Sequence, residues 1–166
     1  QREPRPARRL SARGSNLGCA AVRDAFAGSC AMGIELLSRG ADRGTFIDQD
    51  ARAATRGRRN LAKVGAEKVA YAVLRGDACQ LAERGRIAGA PFDGVFLDPP
   101  YALSADVVSA MLEHLAAHGA LRPGATVVYE RSAEAPGLGV PGLIPVRTKR
   151  YGITCVDLLE KGQDVD

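Results

Sequence analysis

The sequence predicts an α/β fold of the Rossmann-like kind, with a mostly parallel sheet, helices on both faces and a closing antiparallel hairpin. Three observations carry this expectation. From about residue 20, short apolar runs alternate with helix-periodic stretches. Four of those runs end on aspartate. Near the C-terminus, two strand-like runs are separated only by a turn. A β-α-β-α order calls for parallel strands covered by helices, and such sheets bind ligands at the carboxyl ends of their strands.

Taken in order, strands are read at 20–24, 44–48, 69–77 and 92–98, and helices at 31–39, 51–64, 78–86 and 104–118. Ser104 has the residue type that caps a helix N-terminus. A fifth strand is read at 125–130. The segment 132–142 is rich in Pro and Gly and too broken for a crossover helix. The runs 143–150 and 153–160, joined at Tyr151-Gly152, therefore have to pair antiparallel and complete a seven-stranded sheet.

A chain of 166 residues, 46% hydrophobic and 25% charged, fits one domain with a core that needs neither disulfide nor metal. That domain is read at 20–162, after a basic arm at 1–19 (truncated or disordered) and before a short tail at 163–166. No internal repeat is evident. There is no apolar run of membrane-spanning length, and a cytoplasmic monomer is expected. Cys19, Cys30, Cys79 and Cys155 are too scattered for a zinc site or redox dithiol and read as separate reduced thiols. His114 and His118 share a helix face but lack the Glu of an H-E-x-x-H site, so no metal is expected.

The net charge of +4 is uneven. Residues 1–23 hold six arginines against Glu3, while the remainder holds 17 basic and 18 acidic residues. Arg52, Arg56, Arg59 and Lys63 fall on one stripe of the second helix, and Arg147, Lys149 and Arg150 lie near the hairpin. Phosphate contact or a plain solvated face both fit these charges.

Two segments carry chemistry. Asp24-Ala-Phe26-Ala27-Gly28-Ser29-Cys30-Ala-Met-Gly33 leaves the first strand and enters a helix, where glycines permit close backbone approach and free N–H groups point outward. Asp48 ends the next strand and suits the two hydroxyls of a ribose. Cys30 stands where a dinucleotide fingerprint wants its second glycine, which favours an adenosine cofactor without pyrophosphate, S-adenosyl-L-methionine, over NAD. Asp77, in Gly76-Asp77-Ala78, can hold an adenine amino group or cap the next helix.

The second segment is Asp98-Pro99-Pro100-Tyr101, directly after Val95-Phe96-Leu97. An exocyclic amine on a base is a weak nucleophile because its lone pair is delocalised into the ring. The Asp98 carboxylate and a backbone carbonyl of the Pro pair can hold such an amine. The prolines keep that loop stiff and rich in acceptors, and Tyr101 can stack on the base.

Together these residues resemble the bacterial 16S rRNA guanine-N2 methyltransferases of the RsmD type, over about residues 24–160. Phe26-Ala-Gly-Ser29, Gly33-Ile-Glu-Leu-Leu-Ser-Arg-Gly40, Phe46-Ile-Asp48, Gly76-Asp-Ala78, Leu97-Asp-Pro-Pro-Tyr101 and Lys149-Arg-Tyr-Gly152 fall in the family's order. The resemblance implies a class I methyltransferase sheet with a reversed final strand. It implies S-adenosyl-L-methionine contacts from the Asp24–Gly33 loop, Asp48 and Asp77, with catalysis from Asp98–Tyr101. It also implies 16S rRNA, or the assembling small ribosomal subunit, as partner, with Arg52, Arg56, Arg59, Lys63, Lys149 and Arg150 as candidate RNA contacts.

The chain departs from the family pattern at three places. Cys30 replaces a usual glycine, Arg23 replaces an aliphatic strand residue, and residues 1–20 lack the family's Gly-Thr-Arg-Pro-Thr segment. Two other readings stay open at this level: amino methylation of adenine N6 in DNA or RNA, and a degenerate module that binds cofactor without turnover.

Overall fold

The computed structural model describes residues 20–64 and 70–163. The arm read at 1–19, with Cys19, lies outside the described residues, as do residue 69 and the last three positions. Seven strands form one sheet: β1 (Ala21–Asp24), β2 (Arg43–Asp48), β3 (Ala70–Arg75), β4 (Phe92–Leu97), β5 (Leu121–Ser132), β6 (Leu143–Tyr151) and β7 (Thr154–Lys161). Their order across the sheet is β3-β2-β1-β4-β5-β7-β6. β1 pairs in parallel with β2 and β4, β2 with β3, and β4 with β5. β7 runs antiparallel between β5 and β6, which is the hairpin expected from the missing crossover helix. Successive units step outward on opposite sides of β1 and β4, so the switch point lies between them. A crevice opens there by topology alone.

Four helices are described: α1 (Ala31–Ser38), α2 (Ala51–Lys63), α3 (Ala78–Glu83) and α4 (Ala105–Ala117). Side chains alternate along each strand and so feed two cores. Ile47, Val95, Leu97 and Val127 pack with Val108, Met111, Leu112 and Leu115 of α4 and Ala82 of α3. Phe46, Val73, Phe96 and Val128 pack on the other face with Leu36 and Leu37 of α1 and Leu61 of α2. The Ser104 hydroxyl accepts from the Val107 N–H at 3.3 Å and Asp50 from the Arg52 N–H at 2.8 Å, fixing where α4 and α2 begin.

Several boundaries differ from the sequence reading. α3 stops at Glu83 rather than 86, since Gly85 takes φ +66° and closes it. β5 is longer than 125–130 at both ends. Its first residues pair with Phe92 before the register shifts, around Gly124 at φ +79°.

Arg23 occupies the middle of β1, between Thr45 and Val95, and is fully buried. None of its three guanidinium nitrogens has a hydrogen-bond partner among the described residues. The group lies over the Phe92 ring, 5.5 Å from the centroid, and burial pushes its pKa down to about 10. The pairing that would offset a charge here is absent among the described residues.

Cys30 precedes α1 in the left-handed region, at φ 62°, and its side chain makes no cap. It is fully buried, and its Sγ occupies the space where a Cβ on Gly57 of α2 would sit, 2.5 Å away. The two residues are matched in size. Gly57→Ala is therefore expected to lower stability by about 1–2 kcal/mol, overpacking outweighing helix propensity. In a Cys30→Gly background the same change should be neutral or stabilising, as urea denaturation of the four proteins in the cycle can show.

Candidate active site

Every parallel strand delivers its last residues to one rim of the sheet. Asp24 ends β1, Asp48 ends β2, and Asp98 follows Leu97 of β4. The Asp48 carboxylate is set by two backbone donors: Gly28 N–H at 2.9 Å on Oδ2 and Asp50 N–H at 2.8 Å on Oδ1. Each oxygen keeps a lone pair for a further donor, which is what a ribose diol requires. Gly28 takes φ +53°, so the loop can turn its N–H toward Asp48. Asp77 caps α3, with its Oδ1 accepting from Cys79 N–H at 2.8 Å and Gln80 N–H at 3.2 Å. Both bonds fall on one oxygen.

Asp98 borders three cavities. The first, about 560 Å³, is walled by Asp24, Phe26, Ala27, Gly28, Ser29 and Met32 on one side and by Val128 and Glu130 on the other. The second, about 520 Å³, runs from Asp98–Tyr101 past Phe26 to Asp48, Gly76, Asp77 and Ala78, with Cys79, Leu103 and Val107 as apolar wall. The third, about 320 Å³, lies behind the Asp98–Tyr101 loop against Tyr129, Arg131, Ser132 and Thr154. These sizes fall within the range of small-molecule sites. Among the described residues, no Lys or Arg lines the first two cavities, whereas Asp24, Asp48, Asp50, Asp77, Asp98 and Glu130 do.

Burial pushes Asp24 up to about 7, with its hydrogen bond from Phe26 N–H opposing and the charges of Asp98 and Asp48 adding. Burial also raises Asp98. Since the folded value of Asp24 lies above its ordinary 3.8, folding favours the protonated acid. That stabilisation is complete below pH 4 and is lost as pH climbs toward 7. Ligand-free Asp24→Asn should therefore melt well above the parent protein at pH 8. The gap, a few kcal/mol at most, should close near pH 4, as melting curves across that range can show.

The cofactor and catalytic candidates named from sequence lie on these walls, with one exception. Gly33 is the exception: a Cβ there would overlap the Phe46 ring, so it lets α1 pack against β2 rather than facing a cavity. Tyr101 is 84% exposed at the mouth, free to meet a flat ligand. Arg52, Arg56, Arg59 and Lys63 are exposed along α2, beside β2 and β3, while Lys149 and Arg150 are exposed on β6 at the opposite edge. The two basic groups thus flank the rim rather than merge.

Glu130 and Arg131 were not singled out from sequence. Arg131 is held by Asp157, Nε to Oδ2 at 2.6 Å and Nη2 to Oδ1 at 3.3 Å, and it donates to the Ala135 carbonyl at 2.7 Å. With Thr148 also donating to Asp157 at 2.7 Å, β5, β6, β7 and the 133–139 loop are tied together under the third cavity. No group of residues suited to a metal ion occurs among the described residues, and no described helix is long and apolar enough to cross a membrane.

The family described as conserved hypothetical protein 95 matches residues 11–160. The chain is 34% identical over 140 residues to the "Putative rRNA methyltransferase YlbH" of Bacillus subtilis (strain 168), covering 83% of this chain and 74% of that one. The chain belongs to this family of rRNA methyltransferases. Another member, the ribosomal RNA small subunit methyltransferase D of Haemophilus influenzae, is 28% identical over 140 residues, 82% of this chain and 69% of its own. The family's sheet is that of class I methyltransferases. An RNA methyltransferase from Salinibacter ruber, solved with S-adenosyl-L-homocysteine, shares it at a TM-score of 0.68 and 18% identity, over 100% of this chain and 97% of that one.

Proposed function

We propose that the chain methylates the N2 amino group of a guanine in small-subunit rRNA, using S-adenosyl-L-methionine. The observation that carries this reading is the junction at Asp98, where an adenosine-sized cavity ending on Asp48 meets two further cavities. The acidic lining is hostile to a pyrophosphate and suited to a ligand with cationic centres. Asp48 takes the ribose hydroxyls and Asp77 the adenine amino group. Asp24, poised near neutrality, takes the amino-acid ammonium. Cys30 does not obstruct this binding, since its side chain faces Gly57.

S-adenosyl-L-methionine supplies a methyl group already activated on a sulfonium centre. The protein's part is positioning. Asp98 and a proline carbonyl accept the two N–H bonds of the amine, so that its lone pair faces the donor, and Tyr101 stacks on the base. The methyl carbon would pass from sulfur to nitrogen, leaving neutral S-adenosyl-L-homocysteine, and Asp98 would take the proton that the nitrogen must lose. The exposed cations of α2 and β6 bind the RNA backbone on either side of the acidic rim. Their contribution is read from the salt dependence of binding in Arg56→Ala and Lys149→Ala.

The test supplies labelled cofactor with small subunits from a strain lacking the modification, with free rRNA, or with duplex DNA. Label on guanine N2 of rRNA is expected. Label confined to DNA, or to adenine, overturns the reading. Asp48→Ala is expected to weaken S-adenosyl-L-homocysteine binding by about 10- to 100-fold, the loss of charge-assisted bonds to the ribose, as calorimetry can measure.

A further inference from the structure

We infer that Glu130 is a specificity residue that accepts the N1–H of the acceptor guanine beside the amine held by Asp98, and so selects guanine over other amino-bearing bases. The inference rests on the guanine-N2 reading and adds the residue that reads the base. The register places it. Leu97 of β4 pairs in parallel with Tyr129 of β5, so Asp98 and Glu130 are each one step beyond that pair, on neighbouring strands. Adjacent strands lie about 4.8 Å apart. Tyr129 faces the core formed with α4, while Val128 faces the opposite core, and alternation turns Glu130 toward the Val128 side. Glu130 and Asp98 accordingly wall both the 560 Å³ cavity, opposite the cofactor loop, and the 320 Å³ cavity behind Asp98–Tyr101.

Two carboxylates side by side present acceptors only. Guanine is the common base whose exocyclic amine is flanked by a ring N–H, giving two neighbouring donor groups. In adenine and cytosine the amine is flanked by ring nitrogens that are themselves acceptors. A carboxylate at Glu130 would face those lone pairs without a proton between them. A site built around a hydrogen bond rejects an analogue lacking it far more strongly than an apolar pocket rejects a misfit.

The test first uses the wild-type protein to map the methylated nucleotide. It then compares rRNA carrying guanine or 2-aminopurine at that position. 2-Aminopurine keeps the 2-amino group but has an acceptor at N1. The wild type should methylate guanine at least about 100-fold faster. Glu130→Gln, whose amide can donate to N1, should narrow that ratio to within about tenfold. Comparing the ratio between the two proteins cancels any contribution from the missing O6. Equal wild-type rates on both bases, or an unchanged ratio in Glu130→Gln, overturn this inference alone. Absence of wild-type transfer to any guanine N2 overturns the functional reading and the inference with it. Because the wild-type comparison is made on the substrate side, it holds even if the variant folds poorly.

Discussion

Asp98→Ala is expected to lower methyl transfer by at least about 100-fold while preserving the rise in melting temperature produced by S-adenosyl-L-homocysteine. The carboxylate borders all three cavities, whereas the ribose and adenine groups fall to Asp48 and Asp77. Removing it leaves the amine with one acceptor instead of two and no group to take its proton. A reacting atom displaced by about 1 Å is enough for a loss of this size. Asp98→Asn keeps an acceptor oxygen but not the base, so its rate should lie between those of the parent and the alanine variant. Burial raises Asp98, so activity should fall on the acid side at a higher pH than an ordinary carboxylate would give. Single-turnover rates and thermal shifts on the same preparations separate the two effects. Full activity in Asp98→Ala would remove the catalytic assignment.

Arg23→Met is expected to raise stability by about 1–4 kcal/mol. The guanidinium is fully buried in the central strand, with no hydrogen-bond partner among the described residues and only the Phe92 face beneath it. Methionine fills similar length without a charge to desolvate. Burial holds Arg23 down near 10 in the fold, so the penalty is complete below pH 10 and fades as pH rises above it. The gain should therefore be fully visible at pH 7, as a melting temperature several degrees higher. Arg23→Ala would leave a cavity and is expected to gain less. A methionine variant that melts lower than the parent would mean that the guanidinium is satisfied in solution.

The parts of the fold that were legible in sequence are those where one local rule dominates. Apolar runs ending on Asp24, Asp48 and Asp98 marked the parallel strands and their rim, because an unpaired carboxylate is costly inside a buried strand; Asp157 continues β7 only with Arg131 and Thr148 donating to it. Ser104 fixed the start of α4 through its cap. The reach of β5 was hidden, since Arg122, Pro123 and Gly124 break the apolar pattern that the strand nonetheless enters. Glu130 was missed because, unlike the aspartates, it does not end its strand: β5 continues to Ser132. It closes the apolar run from Ala125, and only the register with β4 sets it beside Asp98. Cys30 and Gly57 lie 27 positions apart, and nothing local announces that one fills the space above the other. Arg23 was legible as a charge in a strand. Whether it found a partner depended on long-range packing.

The proposed chemistry requires a methyl donor and a flat amine to meet at Asp98 on one rim of one sheet. A crystal structure of the protein with bound S-adenosyl-L-homocysteine tests it most directly. Ribose hydroxyls are expected on Asp48, adenine near Asp77, and the sulfur turned toward Asp98 with Tyr101 open beside it. A sulfur facing away from Asp98, or a ligand seated outside the Asp24–Asp48–Asp98 rim, would contradict it.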